Sequence, residues 1–345
     1  MSISNYLEQA WYRRFSWALL LLPLSWLFRA VVALRRCYQQ KIKPNPSLNV
    51  PVIVVGNISV GGTGKTPLLL ALVSHLKEQG YRPGVISRGY GGSASEYPML
   101  VSSESMAAEV GDEPLLLASV CPVVVDPDRY RAAKSLLEQT DCDLILSDDG
   151  LQHYRLPRDI EIAVVDGDRG FGNGQCLPAG PLREPVSRLQ CLDFILTNGH
   201  GSEVPTEGHF FFRVEPTQLR HLVSGKQCSP SPSSLEQWSG SNNSPSNSSN
   251  KVHAVAGIGN PQRFSKSLEQ LGFDVQLHAY PDHHDFRGDE LQFDDNLPVI
   301  ITAKDAVKCT DITNDSVWIL DVTAKPDTDF LDKLTQAVHN LKESV

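Results

Sequence analysis

A glycine-rich stretch near the N-terminus, "GGTGKT" at 61–66, most constrains how this chain can fold. It closely follows the apolar run "PVIVV" (51–55), which is typical of a buried strand, and leads into the helical sequence "PLLLALVSHLKEQG" (67–80). A strand, a glycine-rich turn and a helix in this order bind phosphate, because backbone N–H groups and the helix N-terminus face the anion. The stretch therefore predicts a nucleotide-binding α/β domain with a parallel sheet.

The loop also predicts which residues hold the phosphates and a metal ion. Lys65 follows the last glycine, where its ammonium group can reach the β- and γ-phosphates, and the Thr66 hydroxyl can bind Mg²⁺. The strict pattern G-x-x-x-x-G-K-[ST] has glycine where this chain has Ser59, so a tight turn that binds no phosphate is the alternative. The predicted loop residues are Ser59, Val60, Gly61, Gly62, Thr63, Gly64, Lys65 and Thr66.

Carboxylates follow two of the later apolar runs. Further strands are predicted at 84–87, 122–125, 143–147, 162–166 and 194–197. Ligands of parallel α/β sheets gather at the carboxyl ends of the strands, where "LILSDDG" places Asp148 and Asp149. A nucleotide-bound Mg²⁺ needs such an acid, so this pair is the predicted metal site. Asp166 is a second candidate for the same role, and a plain Asp-Asp-Gly turn is the structural alternative.

Two further motifs suggest acid–base chemistry. In "EVGDEPLLLA" (109–118), Asp112 precedes a helical run, where a carboxylate either caps the helix or takes a proton from an acceptor hydroxyl. "PDHHDF" (281–286) supplies two histidines, and a histidine can orient a carboxylate base. No third ligand at metal-binding spacing accompanies them, so the motif does not predict zinc.

The N-terminal segment is the most hydrophobic part of the chain and is also basic. Residues 1–50 hold seven Lys or Arg against one Glu, a net +6 in a chain of net charge −9. The apolar run 17–34 is interrupted by Pro23 and Arg29, which disfavours a spanning helix, while tryptophans beside arginines suit the membrane interface. We therefore expect a helix in the membrane interface, with a buried core helix and a true span as alternatives.

Composition limits the binding partners and the cellular compartment that the sequence predicts. The negative net charge argues against non-specific nucleic-acid binding, so no nucleic-acid partner is predicted. The seven cysteines are an odd number without a C-x-x-C pair, which indicates reduced thiols in a cytosolic protein. No obligate protein partner is inferred.

Eight short motifs follow one another between residues 55 and 308. They are "VGNISVGGTGKTP" (55–67), "SRGYGG" (87–92), "GDEPLLLA" (111–118), "SDDGLQH" (147–153), "RGFGNGQCLPAGPLRE" (169–184), "AVAGIGNPQRF" (254–264), "PDHH" (281–284) and "ITAKDAVK" (301–308). In this order they resemble the tetraacyldisaccharide 4′-kinase family.

The resemblance implies that the γ-phosphate of ATP moves, with Mg²⁺ as cofactor, to the 4′-hydroxyl of a tetraacylated glucosamine disaccharide 1-phosphate, giving lipid IVA. It places the enzyme at the cytoplasmic face of the bacterial inner membrane, where the N-terminal helix meets the membrane surface and the lipid substrate. Asp112 is then the catalytic base, supported by His283 or alternatively by His284, and Lys65 completes the catalytic set. The family has Ser or Thr at the first loop position, which accounts for Ser59. The implied substrate-binding residues are Arg88, Tyr90, Glu113, His153, Asn173 and Arg183.

The chain is long enough for two domains, and we expect four parts. Residues 1–40 form the membrane-associated helix, 41–227 a P-loop kinase domain with an NTPase-like parallel sheet, 228–250 a Ser-rich flexible linker, and 251–345 a smaller C-terminal α/β domain. Residues 209–214 are expected to form a strand that bridges the two domains.

Two other functions fit the phosphate loop. A nucleotide switch, either a membrane-positioning ATPase or a GTPase, would hydrolyse nucleotide without lipid. A guanine pocket needs Asn/Thr-Lys-x-Asp, whereas Lys304 lies directly beside Asp305. A membrane scaffold that binds nucleotide only for stability is the non-enzymatic alternative. The substitution Asp112→Asn separates these functions, because only the kinase should lose turnover while it keeps ATP.

Overall fold

The structure is a computed structural model that describes residues 3–13, 15–42, 45–199, 208–238, 250–295, 297–309 and 312–343. Within them the chain forms a mostly parallel β-sheet of 13 strands with helices on both faces. The predicted α/β class is thereby confirmed.

The elements have the following bounds. The strands are β1 (Val52–Gly56), β2 (Pro83–Ser87), β3 (Met99–Leu100), β4 (Val123–Val125), β5 (Leu144–Asp148), β6 (Ile160–Asp166), β7 (Phe194–Asn198), β8 (His209–His221), β9 (Gln227–Cys228), β10 (Lys251–Ala256), β11 (Asp274–Ala279), β12 (Val299–Thr302) and β13 (Val317–Pro326). The α-helices are α1 (Ile3–Trp11), α2 (Leu22–Cys37), α3 (Lys65–Glu78), α4 (Ala107–Val110), α5 (Asp112–Ala118), α6 (Arg129–Gln139), α7 (Pro232–Trp238), α8 (Pro261–Gln270), α9 (Ala303–Ala306) and α10 (Thr328–Glu343). Short 3₁₀ or π turns cover Trp17–Leu21, Tyr38–Ile42, Val186–Cys191 and Asp289–Leu291.

Two lobes share the sheet, whose strand order is β11-β10-β12-β13-β8-β7-β6-β1-β5-β2-β4-β3. The first lobe contains β1 to β7 and the second contains β10 to β13. β8 pairs parallel with β7 and antiparallel with β13, so this strand, which includes the predicted bridging strand, joins the lobes.

The first lobe has a core on each face of the sheet, because neighbouring residues of a strand face opposite sides. Ile53 of β1 packs with Leu68 and Leu72 of α3 on one face. The next residue, Val54, packs on the other face with Leu136 of α6. All five side chains are fully buried, which explains why the strand reads as a continuous apolar run.

The last helix packs on the first lobe. Phe330, Leu334 and Val338 of α10 are buried in the same cluster as Ile53. The cause is topological, since β13 runs antiparallel to β8 and returns the chain to the side of β7. We assigned these residues to the C-terminal domain at 251–345, and that boundary does not follow the packing.

Part of the Ser-rich segment is helical. α7 lies within 228–250, which we predicted to be a flexible linker, and Leu235 is buried in the same cluster of the second lobe as Phe264 and Leu268. Burial of this one apolar side chain stabilises a helix that the polar composition does not predict. Residues 239–249 of the predicted linker lie outside the described residues.

Helix α2 touches the first lobe at few points. Its one buried residue is Ser25, whose hydroxyl donates to the Cys176 carbonyl oxygen (2.8 Å) and accepts from the Ala179 N–H (3.0 Å). The exposed apolar side chains of this helix are Leu24, Trp26, Leu27, Val31 and Leu34. Of the described helical stretches, Trp17–Lys41 alone is long and apolar enough to cross a membrane. Only 11% of the most apolar 18 residues in this stretch is buried in the protein. The predicted alternative of a buried core helix is therefore wrong.

Candidate active site

A cleft of about 1200 Å³ lies between the lobes, at the carboxyl ends of the first-lobe strands. Its first-lobe wall carries the phosphate loop with Lys65 and Thr66. The second-lobe wall carries Gly259, His283 and Lys304. The volume suffices for a nucleotide and part of a second substrate.

The phosphate loop is supported from both lobes. Gly64 has φ +91° and is the N-cap of α3, a left-handed conformation that glycine adopts without strain. Asn198, at the end of β7, donates from Nδ2 to the Thr63 carbonyl oxygen over 3.1 Å. From the second lobe, a β-carbon added to Gly259 would lie 2.8 Å from the backbone nitrogen of Gly62. Glycine at 259 thus lets the two backbones touch.

Lys65 lies between two acceptors at the start of α3. Its Nζ is 3.2 Å from Asn57 Oδ1 and 3.4 Å from Asp149 Oδ1. Arg183 Nη1 donates to the other carboxylate oxygen of Asp149 over 2.8 Å. Burial alone would raise the pKa of Asp149, but the charges of Lys65 and Arg183 together hold that pKa far below its ordinary value. Asp149 is therefore a carboxylate at physiological pH.

Asp148 lies beside Asp149 but has different surroundings. Ser87 Oγ donates to Oδ2 over 3.1 Å, whereas the buried Oδ1 has no hydrogen-bond partner among the described residues. Burial and the charges of Glu113 and Asp149 raise the pKa of Asp148 to about 7, although Lys65 opposes them. A buried carboxylate oxygen without a donor suits a hard cation such as Mg²⁺. The described residues contain no group of three or more His, Cys, Asp or Glu side chains that could hold a metal alone.

Asp166, the alternative metal ligand, also has a buried oxygen, Oδ2, without a hydrogen-bond partner among the described residues, but its other oxygen is engaged. Its Oδ1 accepts from the backbone N–H groups of Asp168 and Arg169, and Arg263 Nη2 lies 3.3 Å from the same oxygen. It does not line the cleft, so the geometry favours Asp148 and Asp149.

Asp112 and His283 form a pair between the lobes. His283 Nδ1 lies 3.0 Å from Asp112 Oδ2, which joins the start of α5 to the "PDHH" turn. Asp112 is buried and does not cap α5, whose N-cap is Gly111. Its carboxyl group does not itself line the cleft, but its partner His283 does. Burial raises the pKa of Asp112, but the hydrogen bond from His283 and the charges of Lys308 and Lys304 outweigh it. The net pKa lies below its ordinary value.

His283 and His284 have separate partners. The ring centroid of Tyr90 lies 5.0 Å from that of His283. His284 Nε2 instead lies 3.0 Å from Glu290 Oε1. Of the two alternatives, the structure therefore brings His283 to the predicted base.

Most of the predicted substrate-binding residues meet in the cleft. Those that line it are Arg88, Tyr90, Glu113, His153 and Arg183. Burial, with the charges of Arg129 and Arg88, lowers the pKa of His153 to about 3, so this ring is neutral at physiological pH. A neutral imidazole there can donate and accept a hydrogen bond.

Asn173 is the exception among them, because it does not line the cleft. Its Nδ2 donates to the Ala179 carbonyl oxygen over 2.8 Å, and its Oδ1 accepts from the Gln175 N–H over 3.1 Å. Both polar atoms thus close the 169–184 loop, and the structure gives no support to the predicted contact with substrate.

The similarity to known proteins extends over nearly the whole chain. The family described as tetraacyldisaccharide-1-P 4′-kinase matches residues 17–339. The chain belongs to this kinase family. The tetraacyldisaccharide 4′-kinases of Methylobacillus flagellatus and Hahella chejuensis are 44% and 43% identical to it, over 99% and 98% of this chain and 98% and 97% of theirs. The relationship that the eight motifs predicted is confirmed.

A solved structure agrees with this assignment. The crystal structure of LpxK from Aquifex aeolicus in complex with ATP matches with a TM-score of 0.74 and 28% identity, covering 94% of this chain and 98% of that one. The family phosphorylates a lipid A precursor, so this chain is a kinase of lipid A biosynthesis. The nucleotide switch and the scaffold are left without support.

In this 4′-kinase a second cavity, of about 470 Å³, adjoins the cleft. Arg88, Arg129 and His153 line both, as does Arg35. Arg35 of α2 and Arg155 add to the basic lining of the smaller cavity. Guanidinium groups recognise phosphate well, so this cavity is suited to an anionic group near the N-terminal helix.

Several residues of the 4′-kinase site were not predicted. Asn198 directly follows the predicted strand 194–197, so the rule that found Asp148 would have found it too. Lys304 lies in "ITAKDAVK", one of the eight motifs, but no role in the site was predicted for it. Arg263 lies in the motif "AVAGIGNPQRF", but its contacts with Asp166 and Asp168 depend on how the lobes meet and could not be predicted.

Proposed function

We propose that this kinase transfers the γ-phosphate of ATP to the 4′-hydroxyl of the tetraacylated disaccharide 1-phosphate, with Asp112 as the general base. The observation that carries the proposal is the Asp112–His283 pair, 3.0 Å apart, beside the cleft that Lys65 and His283 line. The ATP complex of the Aquifex aeolicus relative supports ATP as the donor.

The first-lobe wall of the cleft is suited to the nucleotide. The loop N–H groups and Lys65 bind the β- and γ-phosphates, so Lys65 exchanges Asn57 and Asp149 for phosphate oxygens. Mg²⁺ would be held by the Thr66 hydroxyl and the carboxylates of Asp148 and Asp149, and the donorless oxygen of Asp148 fits that role. When bound, the ion neutralises charge on the phosphates.

Transfer then needs an oriented hydroxyl and a proton acceptor. The 4′-oxygen attacks the γ-phosphorus, the bond from that phosphorus to the β–γ bridging oxygen breaks, and ADP leaves. Asp112 takes the hydroxyl proton, and it is a carboxylate at neutral pH because its pKa lies below the ordinary value. His283 holds the carboxylate in place through Nδ1.

The acceptor lipid reaches this base from the membrane. We assign its 1-phosphate to the basic cavity lined by Arg35, Arg88 and Arg129. The exposed apolar side chains of α2 lie in the interface of the cytoplasmic face of the inner membrane, which supplies both the lipid and access to ATP. Arg35 lies on the same helix, so membrane contact and phosphate binding are adjacent.

The test is transfer of labelled phosphate. Full-length protein in detergent is incubated with γ-labelled ATP, Mg²⁺ and the disaccharide 1-phosphate lipid, and label is expected at the 4′-oxygen. Asp112→Asn should lower the transfer rate by about 10²- to 10⁴-fold, the range for loss of a general base, while ATP binding stays unchanged.

The matched control is Asp143→Asn, which alters another hydrogen-bonded carboxylate that is partly buried and does not line the cleft. It should keep transfer within about threefold of wild type, the range expected away from the reacting atoms. Label released only as free phosphate would support a nucleotide switch, and full activity of Asp112→Asn would remove Asp112 from the mechanism.

A further inference from the structure

Lys304 is a cation at the active site that the mechanism above does not use. Its Nζ lies 3.2 Å from Glu113 Oε1, 3.3 Å from Asp282 Oδ1 and 3.5 Å from His283 Nε2. The side chain is 17% exposed. One ammonium group thus meets a first-lobe carboxylate, a second-lobe carboxylate and the far side of the catalytic imidazole.

The "ITAKDAVK" motif explains how Lys304 is held. Thr302 caps α9 by accepting from the Asp305 N–H over 3.1 Å. Asp305 is fully buried and accepts from the Gly257 N–H (3.2 Å) and from Lys308 Nζ (2.9 Å). The helix that presents Lys304 is therefore anchored to β10 and β12, so its ammonium group has a defined position.

The chemistry of the contact determines where the imidazole proton lies. A lysine ammonium group has donors only, so His283 Nε2 is the acceptor in its 3.5 Å contact with Lys304. Asp282 Oδ1, 3.8 Å from the same nitrogen, would instead accept a proton there. Burial lowers the pKa of Lys304, but the charges of Glu113 and Asp282 outweigh it and raise the pKa above its ordinary value. The group stays charged and offers Nε2 only donors, which favours the imidazole tautomer with its proton on Nδ1, 3.0 Å from Asp112 Oδ2.

We propose that Lys304 is a positioning residue for phosphoryl transfer: it keeps the His283 proton on Nδ1, facing Asp112. The inference rests on the proposed roles of Asp112 and His283. Without Lys304, the carboxylate of Asp282, 3.8 Å from Nε2, competes with Asp112 for the imidazole proton. A proton on Nε2 leaves the Nδ1 lone pair facing the Asp112 carboxylate, which repels it.

A double-mutant cycle tests whether Lys304 acts through His283. Lys304→Met keeps the aliphatic stem and should lower kcat about tenfold, with the KM for ATP changed by less than about twofold. In a His283→Ala background the same substitution should change kcat by less than about twofold, because its target is gone. Lys304→Arg retains a donor and should recover most of kcat. Lys342→Met is the control, since Lys342 pairs with Asp143 away from the cleft.

Nitrogen NMR of ¹⁵N-histidine-labelled full-length protein reports the proton position directly. We expect His283 to be protonated on Nδ1 in wild type and to gain Nε2 protonation in Lys304→Met. An equal loss of kcat in both backgrounds, or the same tautomer in both proteins, would overturn the proposal. If His283→Ala alone leaves kcat unchanged, the role of His283 in the proposed function fails, and the NMR result still decides whether Lys304 sets the tautomer.

Discussion

The Asn198 side chain donates a hydrogen bond of 3.1 Å to the Thr63 carbonyl oxygen, so strand β7 directly supports the phosphate loop. The backbone carbonyl of Asn198 accepts from Arg263 Nη2 of the second lobe at 3.3 Å. One residue thus touches both the phosphate loop and helix α8 of the second lobe. The position of the loop is thereby linked to the contact between the lobes.

Asn198→Ala should raise the KM for ATP about fivefold with a smaller change in kcat, because one hydrogen bond that shapes the loop is lost. Steady-state kinetics with varied ATP measures both constants. Asn314→Ala is the matched control, since Asn314 makes a similar bond to the Leu291 carbonyl oxygen (2.7 Å) in the second lobe. Equal KM values for Asn198→Ala and wild type would show that the loop keeps its conformation unaided.

Gly64→Ala should weaken ATP binding by about tenfold or more. Its φ of +91° strains any side chain by about 1–2 kcal/mol, and a β-carbon would lie 2.4 Å from Asn198 Nδ2. Gly80→Ala separates the two effects, because Gly80 has φ +85° but no atom within 4 Å of an added β-carbon. Calorimetric ATP titration should show near-normal affinity for Gly80→Ala. Similar affinity of the two variants would mean that the contact with Asn198 is unimportant.

The strands of the first lobe could be predicted because they are buried on both faces. The run predicted at 143–147 became Leu144–Asp148, and the one at 194–197 became Phe194–Asn198. Such runs need no knowledge of partners, since a continuous apolar stretch of this length fits a central parallel strand. The position of Asp148 and Asp149 at the carboxyl end of β5 follows from the same pattern.

Features that depend on distant parts of the chain could not be predicted. Helix α7 is stabilised by the packing of Leu235 in the second-lobe core. Helix α10 packs on the first lobe because β13 runs antiparallel to β8. Asp112 and His283 are 171 residues apart, and their pairing entered only through family resemblance. Spacing alone left Asp112 open between a cap and a base.

Leu27→Asp and Leu34→Asp should each weaken membrane binding by about tenfold or more, because burial of one leucine contributes about 1.5–3 kcal/mol. The two side chains are 63% and 71% exposed and neither lines the cleft. Flotation with vesicles of anionic phospholipid measures the bound fraction. Leu100→Asp is the control, an exposed leucine on the edge strand β3. If all three variants float like wild type, α2 is not the membrane contact.

The lowered pKa of Asp112 predicts that the stability advantage of wild type over Asp112→Asn decreases at low pH. The folded-state pKa lies below the ordinary value of about 3.9, so ionised Asp112 stabilises the fold above that pH, and this stability is lost as pH falls through the folded pKa. The Tm of wild type minus that of Asp112→Asn should therefore be constant from pH 8 to about 5 and decrease below about 4.

The same comparison in a His283→Ala background tests what lowers the pKa of Asp112. The hydrogen bond from His283 lowers the pKa of Asp112, while burial raises it. Without the imidazole, burial is opposed only by the charges of Lys308 and Lys304, so the decrease in the Tm difference should begin at a higher pH. Thermal unfolding of the four proteins in steps of half a pH unit measures it. An unchanged onset would mean that the lysines, and not His283, keep Asp112 ionised.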